Sequence, residues 1–190
     1  MRNFCVLLGL AISFFAGATR ADIIPSYVSA VPSGQNTVIT YQIDFTAEQN
    51  GTTNDYFTIY DFGSIIPNSN TQPSNWTFST LGTGVTPAKT NAPDDPNIPN
   101  LTWTYTGSIP LSGTAIGPFT VTVPGVFDVE LNRLRTGYFA AQGTLVTGPN
   151  AGSKVGNVGV LPIPVVVPEP ASIGLLLGGL ALLAARLRKR

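Results

Sequence analysis

The sequence predicts an all-β body, an antiparallel β-sandwich or jelly-roll-like fold, set between an N-terminal signal helix and a single C-terminal transmembrane helix. Three observations point there. Apolar and polar residues alternate with period two through the middle of the chain. Clusters of Gly, Pro, Asn, Asp and Ser recur between the alternating runs. Each end of the chain is an apolar run with basic residues beside it.

A strand turns successive side chains to opposite faces, so a half-buried strand reads apolar, polar, apolar. In TVITYQIDF, Ile39, Tyr41, Ile43 and Phe45 share one face, and Thr40, Gln42 and Asp44 the other. LTWTYT sets Leu101, Trp103 and Tyr105 against three threonines, and FTVTV groups Phe119, Val121 and Val123. Such β-branched and aromatic residues suit a pleated, half-buried surface. Further strands are expected over residues 55–62, 76–80, 126–131, 138–146 and 155–160, separated by the turn clusters EQNGTTND, IPNSNTQPSN, APDDPNIPN and TGPNAGSK. No part of the body carries a sustained helical stripe. The body, residues 22–160, is long enough for one core, since ~150 residues bury roughly 68–70% of the unfolded surface. Twenty glycines and 16 prolines in the whole chain favour loops. They stop short of a disordered composition.

Composition removes several kinds of chemistry. The chain has no histidine, and its one cysteine, Cys5, lies in the N-terminal apolar run. The commonest general base, the commonest transition-metal ligand and the usual serine-hydrolase triad are therefore missing, and the body has no disulfide. Only 11% of residues are charged. Residues 22–168 hold nine acidic and four basic side chains, a net charge of −5. A mildly acidic body lacks the basic face that nucleic acid requires.

Few residues remain as candidates for a site in the body. Asp128 and Glu130 in VFDVEL share one strand face. Carboxylates ~5–9 Å apart serve glycoside hydrolysis, but a solvent-facing pair also simply keeps its face wet. Arg133 and Arg135 stand close enough in sequence to pair with them. Asp94, Asp95 and Asn97 in PDDPN offer oxygen ligands, yet their spacing does not match a calcium loop, and a Pro-rich turn with Asx caps is expected. DYFTIYDF concentrates Tyr56, Phe57, Tyr60 and Phe62. Aromatic rings on a strand face stack on sugars or pack in a core. Tyr60 and Trp76 are the candidate glycan contacts. Asn50, Asn75 and Asn100 begin N-x-T sequons, which a Thr-rich chain produces by chance. Metal and cofactor are not expected.

The ends read as addresses. Met1-Arg2-Asn3, the run FCVLLGLAISFFAG and the small residues after it make a signal peptide over residues 1–21, with cleavage after Ala18 or Ala21. Residues 161–170, LPIPVVVPEP, read as a proline-stiffened, exposed linker. Residues 171–185 are apolar or small apart from Ser172. As a helix they would extend ~22 Å, a marginal span against a bilayer core of ~30 Å. The basic tail, residues 186–190, carries Arg186, Arg188, Lys189 and Arg190, which stay in the cytoplasm and put the body outside.

Val167-Pro168-Glu169-Pro170, followed at once by one apolar segment and a basic terminus, resembles the PEP-CTERM sorting signal. The resemblance covers about the last 24 residues. It implies a bacterial chain recognised through Pro168, Glu169 and Pro170 by an exosortase, a membrane-embedded transpeptidase-like enzyme. It also implies cutting near that motif and release from a transient inner-membrane anchor to the cell surface or matrix. The expected function is that of a secreted, non-enzymatic surface or matrix protein associated with exopolysaccharide and biofilm. The expected partners are exosortase, the bacterial membrane before processing, and exopolysaccharide. A carbohydrate-binding module built on Tyr60 and Trp76, and a glycoside hydrolase built on Asp128 and Glu130, are the alternatives.

Overall fold

A computed structural model describes residues 23–125 and 134–165. The two expected end helices, the expected strand over 126–131 and the Asp128/Glu130 pair lie outside the described residues. Within them the chain forms β1 (Ile23–Ser33), β2 (Asn36–Phe45), β3 (Gln49–Asn50), β4 (Tyr56–Ile59), β5 (Trp76–Leu81), β6 (Asn100–Tyr105), β7 (Ile116–Pro124), β8 (Leu134–Leu145) and β9 (Lys154–Pro164). Every pairing is antiparallel, and the described residues contain no helix. One sheet runs β1-β2-β7. In the other, β9 pairs one side of β8, while β3 and β4 pair its opposite side in succession, and the sheet continues through β6 to β5.

The alternating runs become strands for the reason their pattern gives. Along β2 the side chains of Thr37, Ile39, Tyr41, Ile43 and Phe45 are buried, and those between them are half-buried. Along β7, Phe119, Val121 and Val123 turn inward. β1 is a strand that the pattern hides. Its register shifts between Tyr27 and Ser29, which leaves Val28 as an extra residue and changes the phase of the inward face. Ile23 and Tyr27 pack inward before the bulge, and Ala30 after it. β1 is also an edge strand, where Pro25 and Pro32 are tolerated.

The two sheets share one aromatic core. Phe57 of β4 stacks on Trp103 of β6 at 5.0 Å between ring centroids. Phe119, from the other sheet, meets Phe57 and Trp76 edge-on at 5.0 Å each. It also meets Trp103 at 5.8 Å. Offset and edge-on pairs of this kind suit the ring quadrupoles and add to the burial of their area. The four residues of β4 are all buried, and the segment after β5 covers the outer face there, with Gly84 lying against Thr58 and Tyr60. There the Tyr60 hydroxyl bonds the Val85 carbonyl at 2.9 Å and Thr86 at 2.6 Å.

β9 corrects a sequence boundary. The proline-rich stretch was expected to begin as an exposed linker at residue 161. Instead the strand stays paired with β8 as far as Pro164↔Leu134. Leu161 and Ile163 are buried, and the Pro162 carbonyl accepts the Tyr41 hydroxyl at 2.9 Å. Prolines fit here because β9 is an edge strand, where a missing amide hydrogen removes no ladder bond on the outer side.

The far end of β9 closes a polar node. The Asp55 side chain is fully buried, and Lys154 Nζ lies 2.6 Å from its carboxylate. The Thr52 amide, at 2.8 Å, and the hydroxyls of Thr52 and Thr144 also donate to it. A buried carboxylate needs this many partners, since an unpaired one is costly.

Two outcomes follow from the core. Phe119→Ala should lower unfolding free energy by about 3–5 kcal/mol, read as a lower urea midpoint, because its ring touches three aromatic neighbours across the sheets. Alkaline pH should also destabilise the fold. Burial, then Tyr60 and Asp55, push the Tyr56 phenol up to about 12, and burial raises Tyr41 and Tyr60 as well. In the unfolded chain these groups ionise near ~10. The folded state therefore holds more protons above that value, so stability is full below pH ~10 and falls as pH rises toward ~12. A melting temperature unchanged between pH 9 and pH 12 would contradict this.

Candidate functional site

Tyr60 and Trp76 do not form an exposed platform. Tyr60 has no exposed surface, and Trp76 is 5% exposed. Trp76 packs against Phe57, Tyr105 and Phe119. Period-two alternation identifies an apolar face without telling a core face from a binding face, and here the second sheet and the segment after β5 cover the rings.

Asp94, Asp95 and Asn97 form a turn. Asp95 Oδ1 accepts the Asn97 amide at 3.0 Å and its side-chain nitrogen at 2.9 Å. Asp94 accepts the Gly84 amide and the Asn100 side chain, each at 2.8 Å. Asn100 is itself buried and also bonds Asp61 N and Gly82 O, so its sequon amide is occupied by structure. Asn75 is exposed, and Asn50 is half-buried. Among the described residues no cluster of three His, Cys, Asp or Glu side chains has the spacing to hold a metal ion. Arg135 does not reach a carboxylate there. Its guanidinium donates to the Asp61 carbonyl at 2.6 Å.

A site the sequence did not signal lies beside β5. Among the described residues this strand is the last of its sheet, with no further strand paired to it. Facing it is the 63–72 segment, which is tied to β7 by Ile66 N to Thr122 O and by the Thr71↔Thr120 bridge. Between them runs an open groove of about 680 Å³. It is lined by Asn68, Asn70, Gln72, Thr77 and Ser79 and by the half-buried Phe78, and no lining residue is charged. The amide of Thr106 donates to the Asn75 carbonyl at 2.7 Å, which sets the phase of the β5–β6 ladder. In an antiparallel ladder bonded and non-bonded pairs alternate, so Trp76, Phe78 and Thr80 turn their backbone groups away from β6. Gln72 Nε2 already takes the Trp76 carbonyl at 3.4 Å, and Gln72 Oε1 takes Asn70 Nδ2 at 2.9 Å. The groove thus offers neutral donors and acceptors from side chains and from an open strand edge. It escaped sequence reading because it joins segments through the β7 pairing, and their residues look like ordinary turn and strand residues.

The sorting residues Pro168, Glu169, Pro170, Arg186, Arg188, Lys189 and Arg190 lie outside the described residues. The structure fixes where they are attached, at the end of β9. Residues 166–190 match the family model of the PEP-CTERM protein-sorting motif. That signal marks an exosortase-targeted secreted protein, with exosortase as its processing partner and the C-terminal signal as its membrane anchor. No curated protein matches the chain, and no solved structure matches it.

Proposed function

We propose that the chain is a non-catalytic protein of the bacterial cell surface or extracellular matrix, delivered there by exosortase processing of its tail. The single observation that carries this is the sorting motif over residues 166–190, joined directly to a one-core β body. In this reading the two sheets form a β-sandwich that serves as a stable display unit. Composition supports a role without catalysis, since the chain has no histidine and its one cysteine precedes the body. The carboxylates of Asp44, Asp55, Asp61, Asp94 and Asp95 all accept hydrogen bonds that hold loops or strands together. The test is Glu169→Ala, expressed in a host that has an exosortase. Export should persist, processing should stop, and the protein should stay in the membrane fraction at its larger mass. Processing and location like wild type would remove the reading.

The β5 groove favours a second role within the first, contact with neutral polysaccharide. Uncharged amides and hydroxyls beside an apolar ring are the groups that bind sugar hydroxyls and sugar faces. Titration of the processed body with neutral glucan oligosaccharides should give saturable binding. Asn70→Ala combined with Ser79→Ala should weaken it roughly tenfold, since each lost hydrogen bond is worth about 0.5–1.5 kcal/mol. Equal binding by the variant would remove the groove as the site. Binding of extended peptides alone would assign it to strand addition at the free β5 edge.

A further inference from the structure

We propose that the end of the body from which β9 leaves is the surface that meets the membrane-embedded sorting enzyme. This rests on the exosortase reading above and adds the geometry of the encounter. β9 is held to its last residues. Pro164 pairs with Leu134, Ile163 and Leu161 are buried, and Tyr41 bonds Pro162. Freeing β9 would also separate Lys154 from the buried Asp55 carboxylate. The folded body therefore keeps residue 164 in place while the tail is read.

Only Val165, Val166 and Val167 separate Pro164 from Pro168. Four residue steps span at most ~14 Å, even fully extended. A body of ~140 residues has a radius of gyration of about 14 Å and is on the order of 35–40 Å across. A tether shorter than the body is wide lets neither its sides nor its far end swing round to the motif. An enzyme whose groove holds Pro168, Glu169 and Pro170 must sit against the end where β9 stops.

The contacts between sheets say what else is at that end. Asn157 Nδ2 bonds the Ile23 carbonyl at 2.9 Å, and Ile23 pairs with Phe45. Five residues further along β9, Pro162 is level with the ring of Tyr41. β9 thus advances toward the start of β2, and the β1–β2 turn lies beyond its end. Among the described residues that turn, with Gly34 at φ 63° and exposed Ser33 and Gln35, is the tip beyond the end of β9. Arg135, exposed at the start of β8, pairs with Ile163 near the end of β9. The β8–β9 connection around Pro149 and Asn150 is at the opposite end of the ladder, where Thr144 pairs with Lys154.

The test uses the full chain in a host that has an exosortase. A ten-residue Gly-Ser loop is inserted between Gly34 and Gln35, or as a control between Pro149 and Asn150. Each is made with the native tether and with a twelve-residue Gly-Ser spacer after Val165. A linker that cannot bring two sites together drives their effective concentration toward zero, so the Gly34/Gln35 insertion should cut the processed fraction roughly tenfold or more at native tether length. The spacer should restore it, which a misfolded body would not allow. The Pro149/Asn150 insertion should be processed like wild type with either tether. Equal processing of both insertions at native tether length overturns the proposal, as does a loss that the spacer fails to restore. Glu169→Ala, run beside them, separates the two levels. If it too is processed normally, the exosortase reading has failed rather than the docking geometry alone.

Discussion

Phe119 is the interaction on which the rest of this structure depends. It is the β7 ring that reaches Phe57, Trp76 and Trp103 of the other sheet. Through it the short β1-β2-β7 sheet acquires a partner surface. Without that partner the inward faces of β2 and β4 would be exposed aromatic patches, which soluble domains rarely carry. The interlock also explains why Tyr41, a polar-tipped residue, can be buried deep in the core. Its ring packs edge-on to Tyr27 and Phe62, and its hydroxyl finds the Pro162 carbonyl. A buried hydroxyl without such a partner would cost about 1–3 kcal/mol.

That same hydroxyl makes β9 more than a last strand. β9 is laced to β8 along its length, to the opposite sheet through Tyr41, and to Asp55 through Lys154. Each tie uses a different kind of interaction, so the strand is fixed at both ends. The consequence reaches beyond stability, because β9 runs straight into the sorting signal. The fold sets the position from which the chain leaves β9, four residues before Pro168.

The groove beside β5 arises from an imbalance between the two sheets. The 63–72 segment closes the open edge of β7 with a few backbone bonds, whereas among the described residues it meets the β5 edge through the Gln72 side chain and no strand pairs there. Edge strands are a hazard when flat and apolar. β5 limits it by exposing Thr77, Ser79 and Thr80 and by lying opposite a wall of amides. The lining carries no charge, although the body as a whole is acidic. It is the feature that makes the groove suited to a neutral partner rather than a charged one.

The sequence by itself determined the all-β class, most strands with two-residue alternation, and the sorting tail. These are local properties. Alternation in TVITYQIDF or FTVTV is imposed by the pleat of one strand against one core face, and the tail motif is read as linear sequence. It did not reveal β1, because a bulge at Val28 changes the phase that alternation requires. It also ended β9 too early, because prolines look the same in an edge strand as in a linker until a neighbour such as Leu134 is known. Only tertiary structure decided that Tyr60 and Trp76 are core rather than platform. Burial depends on what covers a face, and the covering residues lie far away in sequence, at Val85, Thr86 and Phe119. The β5 groove is likewise a product of how two sheets meet, which no single strand encodes.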